Sequence, residues 1–246
     1  MDPTGQFLYS AFKGGGPGIV GVYGINSTTG VLYGVNAIGI SGSSGGGGGG
    51  IAVSPTGGYF ATSDTGTWST GPLLETYALK SDGTLVSSYP QSAGTGVAPA
   101  GVAIDPTGSF AYTANTGSGS LSGYAVSSGA GLTQLSGSPF AFGITPRSIA
   151  ISPSGTFLFV SDDTGQVGVF TRNTSSGALT LQSTTHLPGW PTVGVVYSYL
   201  ALDSTGQYLY VIATGGAQIF AFGVDPSTGA LTSLQGSPYS LSLIHI

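Results

Sequence analysis

The chain has no cysteine among its 246 residues and few charged side chains of either sign. The absence of cysteine excludes disulfides, thiolate metal ligands and a cysteine nucleophile. Charged residues make up 5% of the chain, against about 25% in an ordinary soluble domain. Only four residues are Lys or Arg and the net charge is −5, so the basic stripe that nucleic-acid binding requires is excluded. No apolar run approaches the roughly 18 residues of a transmembrane helix, so no membrane span is expected.

Glycine and apolar residues dominate what is present. The chain contains 45 glycines, and 40% of its residues are hydrophobic, including 11% aromatic residues. A disordered glycine-rich linker would lack this apolar content, so the chain is able to bury a core. This composition is typical of an all-β protein with many tight turns.

A turn motif recurs five times along the chain. Its closing glycines stand at positions 5, 57, 108, 155 and 206, which gives a repeat of about 50 residues. Proline presets the backbone, Asp or Ser bonds the main chain ahead of it, and glycine accepts a positive φ. The five copies are residues 2–5, 54–57, 105–108, 152–155 and 203–206.

Each turn precedes a strand with apolar residues at fixed positions. An aromatic residue stands two residues after every closing glycine, and a second follows two residues later in four of the five repeats. A step of two keeps both side chains on one face of a strand, and the apolar residue between them buries the other face. We therefore expect the repeat aromatics to be largely buried between stacked sheets. The residues that carry this expectation are Phe110, Tyr112, Phe157, Phe159 and Tyr208.

The rest of each repeat is predicted to form three further short strands. A second strand carries an aromatic residue (Tyr23, Tyr77, Tyr124, Phe170 or Phe220) and a polar hairpin loop leads into a third strand. A short apolar strand precedes each internal turn. Four short antiparallel strands per 50-residue repeat indicate the blades of an all-β β-propeller, with a β-solenoid as the alternative.

The blade sequence resembles a known family. The segment from Ala103 to Phe140, with Tyr112-Thr113-Ala114-Asn115 at its centre, is similar to the repeat of the lactonase-type seven-bladed propellers. That family groups 6-phosphogluconolactonase-like proteins with surface-layer YVTN repeats. The resemblance runs from Asp2 to about Ser240 and implies a seven-bladed ring, of which about five blades lie in this chain.

The two ends of the chain do not follow the repeat. Met1 occupies an apolar position of an inner strand, so we expect the chain to start inside a blade of a longer bacterial protein, as a metagenomic fragment would. Residues 1–240 are predicted to form a single propeller domain. Residues 241–246 match the translation of a sequencing adapter, and we expect this segment not to be native.

Two residues are candidates for a catalytic site. Arg147 precedes an inner strand, and the resemblance implies that this connector faces the ligand-binding end of the central channel, where arginine could clamp an anion. Setting aside His245 in the terminal segment, His186 is the one remaining histidine and a candidate general base. A single histidine, with no acidic set at ligand spacing, predicts no metal. The Gly16–Gly21 segment matches a dinucleotide fingerprint but leads into a strand, so no cofactor is expected.

Two acidic features are expected to be structural. Asp162 and Asp163 stand at a hairpin in a position that recurs as Asp64 and Asn115, which favours turn capping over acid–base catalysis. Glu75, the only glutamate, lies near the start of a strand and is expected to face solvent.

Three functions remain open from the sequence. The low charge and the Ser/Thr/Gly-rich turns favour a secreted, periplasmic or cell-surface scaffold that binds a sugar lactone, a carbohydrate or a protein at the channel mouth. The family resemblance implies a sugar-lactone hydrolase as the alternative, with Arg147 and His186 as its groups. A structural surface-array repeat without a ligand is the third.

Overall fold

The structure, a computed structural model, describes residues 1–12, 19–39, 48–66, 71–86, 90–143, 145–191 and 197–241. Within these residues the chain forms five antiparallel sheets that follow one another in sequence. No helix in the described part of the chain is long and apolar enough to cross a membrane. A single short 3₁₀ turn, Thr214–Gly216, interrupts the strands there.

The first two sheets contain three and four strands. Sheet 1 consists of β1 (Phe7–Phe12), β2 (Ile19–Ile25) and β3 (Leu32–Gly39). Sheet 2 consists of β4 (Gly48–Val53), β5 (Tyr59–Asp64), β6 (Leu73–Ala78) and β7 (Gln91–Gly94).

The other three sheets repeat the four-stranded plan, and in two of them the outer strand is divided. Sheet 3 consists of β8 (Pro99–Ile104), β9 (Phe110–Asn115), β10 (Ser120–Val126), β11 (Leu132–Gln134) and β12 (Phe140–Ala141). Sheet 4 consists of β13 (Pro146–Ile151), β14 (Phe157–Asp162), β15 (Gln166–Arg172) and β16 (Leu179–His186). Sheet 5 consists of β17 (Ser198–Leu202), β18 (Tyr208–Ala213), β19 (Gln218–Val224), β20 (Leu231–Ser233) and β21 (Tyr239–Ser240).

The predicted turns are confirmed at all five positions. In each, the amide of the closing glycine donates to the carbonyl of the Asp or Ser three residues earlier. All five glycines have a positive φ between 71° and 74°. The Asp105 carboxylate also accepts the amide of Phe110 at 2.8 Å, which ties the turn to the strand that follows it.

The alternation of side chains determines how the sheets stack. In β14, Phe157 and Phe159 pack against sheet 5, whereas Leu158 and Val160 pack against sheet 3. The same rule places an apolar cluster between each pair of consecutive sheets. The all-β propeller prediction is confirmed, since four-stranded antiparallel sheets stack face to face along the chain.

The predicted burial of the repeat aromatics is confirmed for Tyr112, Phe157 and Phe159, and it is wrong for Tyr208. Phe110 is half-buried. Tyr208 is 41% exposed because no further sheet in the described part of the chain covers that face of sheet 5. In sheet 5 the register equivalent of Phe170 is Phe222, two residues beyond the expected Phe220.

Candidate functional site

The first strands of sheets 2 to 5 lie side by side and form the inner wall of the propeller. Glycine lets these strands approach closely. A Cβ on Gly101 would lie 2.5 Å from the carbonyl oxygen of Arg147, and one on Gly50 would lie 2.6 Å from that of Ala100. Only glycine fits at these two positions, so the main chain itself forms the wall there.

A cavity of about 260 Å³ opens at the start of these strands. We call it the inner-strand cavity. The residues that line it are Gly49, Gly50, Ile51, Ala100, Gly101, Val102, Arg147, Ser148, Ile149 and Tyr199. Four consecutive sheets therefore contribute to one concave site, as is usual for small-ligand sites.

Arg147, which the sequence singled out, lies in this cavity and is paired with an acidic side chain. Its Nε lies 2.6 Å from both carboxylate oxygens of Asp163, and its Nη2 lies 2.6 Å from Oδ2. The side chains of Arg147 and Asp163 are 23% and 17% exposed. A side-on pair of this kind orients the guanidinium and neutralises its charge.

Sheet 5 completes the surroundings of this pair. The Ser198 amide donates to Asp163 Oδ1 at 3.2 Å. The guanidinium carbon of Arg147 lies 4.2 Å from the centre of the Tyr197 ring, within cation–π distance. The Arg147–Asp163 pair therefore joins sheet 4 to sheet 5 at the rim of the cavity.

The two neighbouring acidic residues have different roles. Asp162 caps the hairpin as predicted, because its Oδ1 accepts the amides of Thr164 and Gln166 at 2.9 and 2.8 Å. Burial raises the pKa of the Asp162 carboxyl, although these hydrogen bonds oppose the shift. The same expectation is wrong for Asp163, whose carboxylate instead binds Arg147 and the next sheet.

His186 lies away from the cavity. It is the last residue of β16, is exposed to solvent, and pairs with Gln166 of β15. Arg147 is on β13, so β14 and β15 separate the two residues within sheet 4. At about 4.8 Å per strand this separation is roughly 14 Å. The structure therefore does not bring the two predicted site residues together, and their chemical roles stay predictions.

The burial of two ionisable side chains was not expected from the sequence. Glu75 is fully buried, and its carboxylate accepts the Tyr77 hydroxyl at 3.1 Å, so the prediction that it faces solvent is wrong. Arg172 is also buried and donates from Nε to the Gly155 carbonyl at 2.6 Å. Arg172 stands at a position held by Ile25, Leu79, Val126 and Val224 in the other repeats. An alignment of the five repeats shows an arginine at a position that is otherwise aliphatic. This was the sequence signal for a buried arginine.

The described residues contain no group of three or more His, Cys, Asp or Glu side chains that could hold a metal ion. The first half of the dinucleotide-like segment falls within residues 13–18, and most of the terminal segment falls on 242–246. Both of these ranges lie outside the described residues.

The comparisons with known proteins agree with the propeller architecture. The sequence model of the lactonase family, a seven-bladed β-propeller, matches residues 75–196. No curated protein matches the chain in sequence.

Among solved structures, the periplasmic gluconolactonase PpgL of Pseudomonas aeruginosa superposes with a TM-score of 0.77 at 19% identity, covering 98% of this chain and 71% of that one. A protein of unknown function from Desulfotomaculum acetoxidans gives 0.73 at 21% identity, covering 96% and 70%. A protein from Bacteroides uniformis named as a candidate 6-phosphogluconolactonase gives 0.74 at 18% identity, covering 96% and 68%. These TM-scores show a shared fold, and at identities of 18–21% they show the fold alone.

Proposed function

Because the chain is a β-propeller of the lactonase-like family, we propose that it is a ligand-binding propeller that acts outside the cytoplasm, with the inner-strand cavity as its binding site. The observation that carries this proposal is the Arg147–Asp163 pair. It supplies an oriented hydrogen-bonding group at the rim of a concave site formed by four sheets. A binding site needs no more than such a group together with an apolar wall.

The composition of the cavity favours binding over catalysis. Of the described residues that line it, only Arg147 carries a charge at neutral pH. The other lining residues are a serine, a tyrosine, aliphatic residues and glycines. Hydrolysis of a lactone by water requires a general base within hydrogen-bonding reach of that water. A guanidinium donates hydrogen bonds and has no acceptor atom, so Arg147 cannot serve as that base.

A binding screen with a matched pair of variants tests this proposal. Sugars, sugar acids and lactones are screened by ligand-observed NMR against the native protein, Arg147→Gln and Lys80→Gln. Lys80 is an exposed cation in a hairpin of sheet 2, away from the cavity. We expect Arg147→Gln to weaken binding by about tenfold or more, as loss of a charge-assisted hydrogen bond predicts, and Lys80→Gln to leave it unchanged. Equal effects of both variants contradict a site at the cavity.

Sugar-lactone hydrolysis is the second candidate function, and the structural similarity to a gluconolactonase favours it. In this mechanism water attacks the lactone carbonyl while a base takes its proton, and Arg147 stabilises the charge that develops on the carbonyl oxygen. The tetrahedral intermediate then collapses with cleavage of the ring C–O bond, and the base returns the proton to the departing alkoxide, which leaves the open sugar acid. His186 is the predicted base, but its position on the outer strand of sheet 4 leaves it far from Arg147.

A hydrolysis assay separates the two candidate functions. Gluconolactone and 6-phosphogluconolactone are supplied to the native protein and to the Arg147→Ala and His186→Ala variants. The binding proposal expects no turnover above the spontaneous rate. Turnover that Arg147→Ala abolishes would establish the hydrolase in its place.

Three further points belong to the proposal. The low charge of the chain and its Ser/Thr/Gly-rich turns support a secreted, periplasmic or cell-surface location, which fractionation of the source cells tests. We also propose that residues 1–240 form one domain of a seven-bladed ring. A purely structural surface-array role predicts that no small ligand binds, so the same screen tests it.

A further inference from the structure

We propose that the uncovered face of sheet 5 is the docking surface for a further sheet of the same repeat, and that this covering sheet carries an arginine that pairs with Asp203. The inference rests on the proposed seven-bladed ring and specifies the sheet that follows sheet 5 in it. Three observations carry it: exposed apolar side chains at positions that are buried elsewhere, a hairpin contact that recurs between sheets, and the geometry of the Asp203 turn.

The exposed side chains of sheet 5 stand at positions that another sheet covers in sheet 3. Tyr210 and Ile212 are each 40% exposed. Strand pairing and repeat spacing place them at the positions of Tyr112 and Ala114, which are fully buried against sheet 4. An exposed apolar patch of this kind marks an interaction surface. Sheet 5 therefore presents the same apolar face as sheet 3 without its cover.

Sheets 3 and 5 are built alike in other respects. In both, a Gly-Ser-Pro sequence divides the outer strand, and its serine hydroxyl accepts an amide of the neighbouring strand. Ser138 accepts the Gly123 amide at 3.0 Å, and Ser237 accepts the Ala221 amide at 2.9 Å. Both sheets also have an aspartate at the start of their turn. Sheet 4, which covers sheet 3, is therefore the template for the sheet that covers sheet 5.

A hairpin closed by glycine marks the contact between sheets 3 and 4. Gly177 of sheet 4 has a φ of 73° and lies so close to Phe110 of sheet 3 that a Cβ would be 2.5 Å from the ring. The Tyr112 hydroxyl donates to the carbonyl of the same glycine at 2.7 Å. A hairpin glycine packs on the equivalent aromatic residue between sheets 1 and 2 and between sheets 4 and 5. Tyr208 and Tyr210 offer the corresponding ring and hydroxyl to a hairpin of the covering sheet.

The Asp203 carboxylate is placed to pair with an arginine of that sheet. Its Oδ1 accepts the Tyr208 amide at 2.8 Å and its Oδ2 accepts the Thr205 hydroxyl. Asp105 caps the turn of sheet 3 through the same set of contacts, and its Oδ2 also binds Arg172 of sheet 4. Burial of a carboxylate without a cation is costly. A covering sheet of the sheet-4 type supplies that cation from the position of Arg172.

Sheet 1 shows the alternative arrangement. Its turn also carries an aspartate, Asp2, but its outer strand β3 is undivided, and Leu79 of sheet 2 stands at the position of Arg172. Asp2 stays partly exposed beside sheet 2, whereas Asp105 is fully buried beside sheet 4. The arginine thus accompanies burial of the turn carboxylate, which the match between sheets 3 and 5 indicates for Asp203.

An extended chain tests the inference. A second copy of residues 142–191, which contain sheet 4, follows Ser240 in place of residues 241–246, and the chain without this extension is the reference. Because the sequence has no cysteine, Ile212→Cys reports on the face of sheet 5 through its rate of reaction with a maleimide. We expect this rate to be about tenfold lower or less in the extended chain, since reaction then requires the appended sheet to open. Tyr33→Cys, at an exposed tyrosine of sheet 1, should react equally in both chains.

Two substitutions in the extended chain test the ion pair. Arg172→Leu in the appended copy alone should raise the reaction rate of Ile212→Cys about tenfold, because it leaves the Asp203 carboxylate without its cation. Asp203→Ser in the same chain should restore the slow reaction. Sheets 4 and 5 already combine a serine turn, at Ser152, with the aliphatic Val224 at the position of Arg172.

The outcomes separate this inference from the proposals on which it rests. Equal reaction of Ile212→Cys in the extended and unextended chains overturns docking of a further sheet. Slow reaction in both chains that dilution accelerates shows that a second copy covers the face, and it also overturns the inference. Slow reaction that Arg172→Leu in the copy leaves unchanged overturns the contact with Asp203 and leaves the seven-bladed ring standing. The ligand screen on the unextended chain tests the binding function separately.

Discussion

The guanidinium of Arg172 in sheet 4 reaches the carboxylate of Asp105 in sheet 3, with Nη2 3.2 Å from Oδ2 and both side chains fully buried. The same arginine binds the Gly155 carbonyl and lies 5.3 Å from the centre of the Phe110 ring. Asp105 meanwhile caps its own turn through the amides of Ser109 and Phe110. One buried ion pair thus joins the turns of two neighbouring sheets.

Replacement of Arg172 by leucine should destabilise the protein by about 3–5 kcal/mol, because it leaves the Asp105 carboxylate buried without its cation. Leucine suits the site, since the other repeats carry aliphatic residues there. The double variant Arg172→Leu/Asp105→Ser should recover much of this loss, as Ser54 and Ser152 hold the Asp105 position elsewhere. Urea unfolding of the four proteins gives the coupling energy. A coupling energy near zero contradicts the role of the ion pair.

Two aromatic residues at the same repeat position should differ in their contribution to stability. Phe157 is 4% exposed between sheets 4 and 5, so Phe157→Ala should cost about 3–5 kcal/mol. Tyr208 is 41% exposed, and Tyr208→Ala should change the free energy of unfolding by about 1 kcal/mol or less. Equal losses in thermal or urea unfolding would show that sheet 5 is covered on both faces in solution.

The Asp162 carboxyl should make stability depend on pH. Burial raises its pKa in the folded state, so its contribution to stability is most favourable below the unfolded value of 3.8 and is lost as pH rises through the folded value. Asp162→Asn cannot ionise and keeps Oδ1 as an acceptor. The stability of the native protein relative to this variant should therefore fall between about pH 3 and pH 7.

Asp203 provides a control, because its effect on stability should change with pH in the opposite direction. Hydrogen bonds from the Thr205 hydroxyl and the Tyr208 amide lower the pKa of its carboxyl, so the stability it contributes is present above 3.8 and is lost on acidification. The native protein should lose stability relative to Asp203→Asn as pH falls. Urea unfolding at about pH 3 and about pH 7 measures the stability of the native protein relative to Asp162→Asn and to Asp203→Asn. If both relative stabilities change in the same direction with pH, the assigned directions of the two pKa shifts are wrong.

The tyrosine of the Tyr112-Thr113-Ala114-Asn115 segment holds sheets 3 and 4 together. Its hydroxyl donates to the Gly177 carbonyl at 2.7 Å, and burial raises the pKa of this hydroxyl to about 12. Tyr112→Phe should cost about 1–3 kcal/mol, because it leaves the buried carbonyl without its donor. Thermal unfolding measures the loss, and Tyr33→Phe, at an exposed tyrosine, should show none.

The turn and strand pattern could be predicted from the sequence because its causes are local. The Asp/Ser-Pro-x-Gly turns depend on the φ preference of proline and glycine and on one side chain that bonds the next few amides. The two-residue period of β14 assigns Phe157 and Phe159 to one face and Leu158 and Val160 to the other, whatever lies beyond. Repetition of this pattern five times was sufficient to identify the propeller.

The candidate site depended on contacts between residues far apart in the chain. Asp163 follows β14, which pairs with β13, so Arg147 meets it within sheet 4, whereas Tyr197 and the Ser198 amide reach the pair only after sheet 5 packs against sheet 4. The sequence placed Arg147 near an inner strand but could not show that Asp163 neutralises its charge. His186 was predicted as the general base of the same site, because a linear sequence does not show how far the width of a four-stranded sheet separates its first strand from its last.

Burial was likewise decided by tertiary structure. The sequence assigned Glu75 to solvent, because the desolvation of a charge is costly, and it did not single out Arg172. Glu75 accepts the hydroxyl of Tyr77 from its own strand, whereas the burial of Arg172 depends on Asp105 from the neighbouring sheet. The repeat pattern thus determined the blade, its turns and its two apolar faces through short-range chemistry, whereas the packing of one sheet on the next decided which charges are paired and where a ligand can bind.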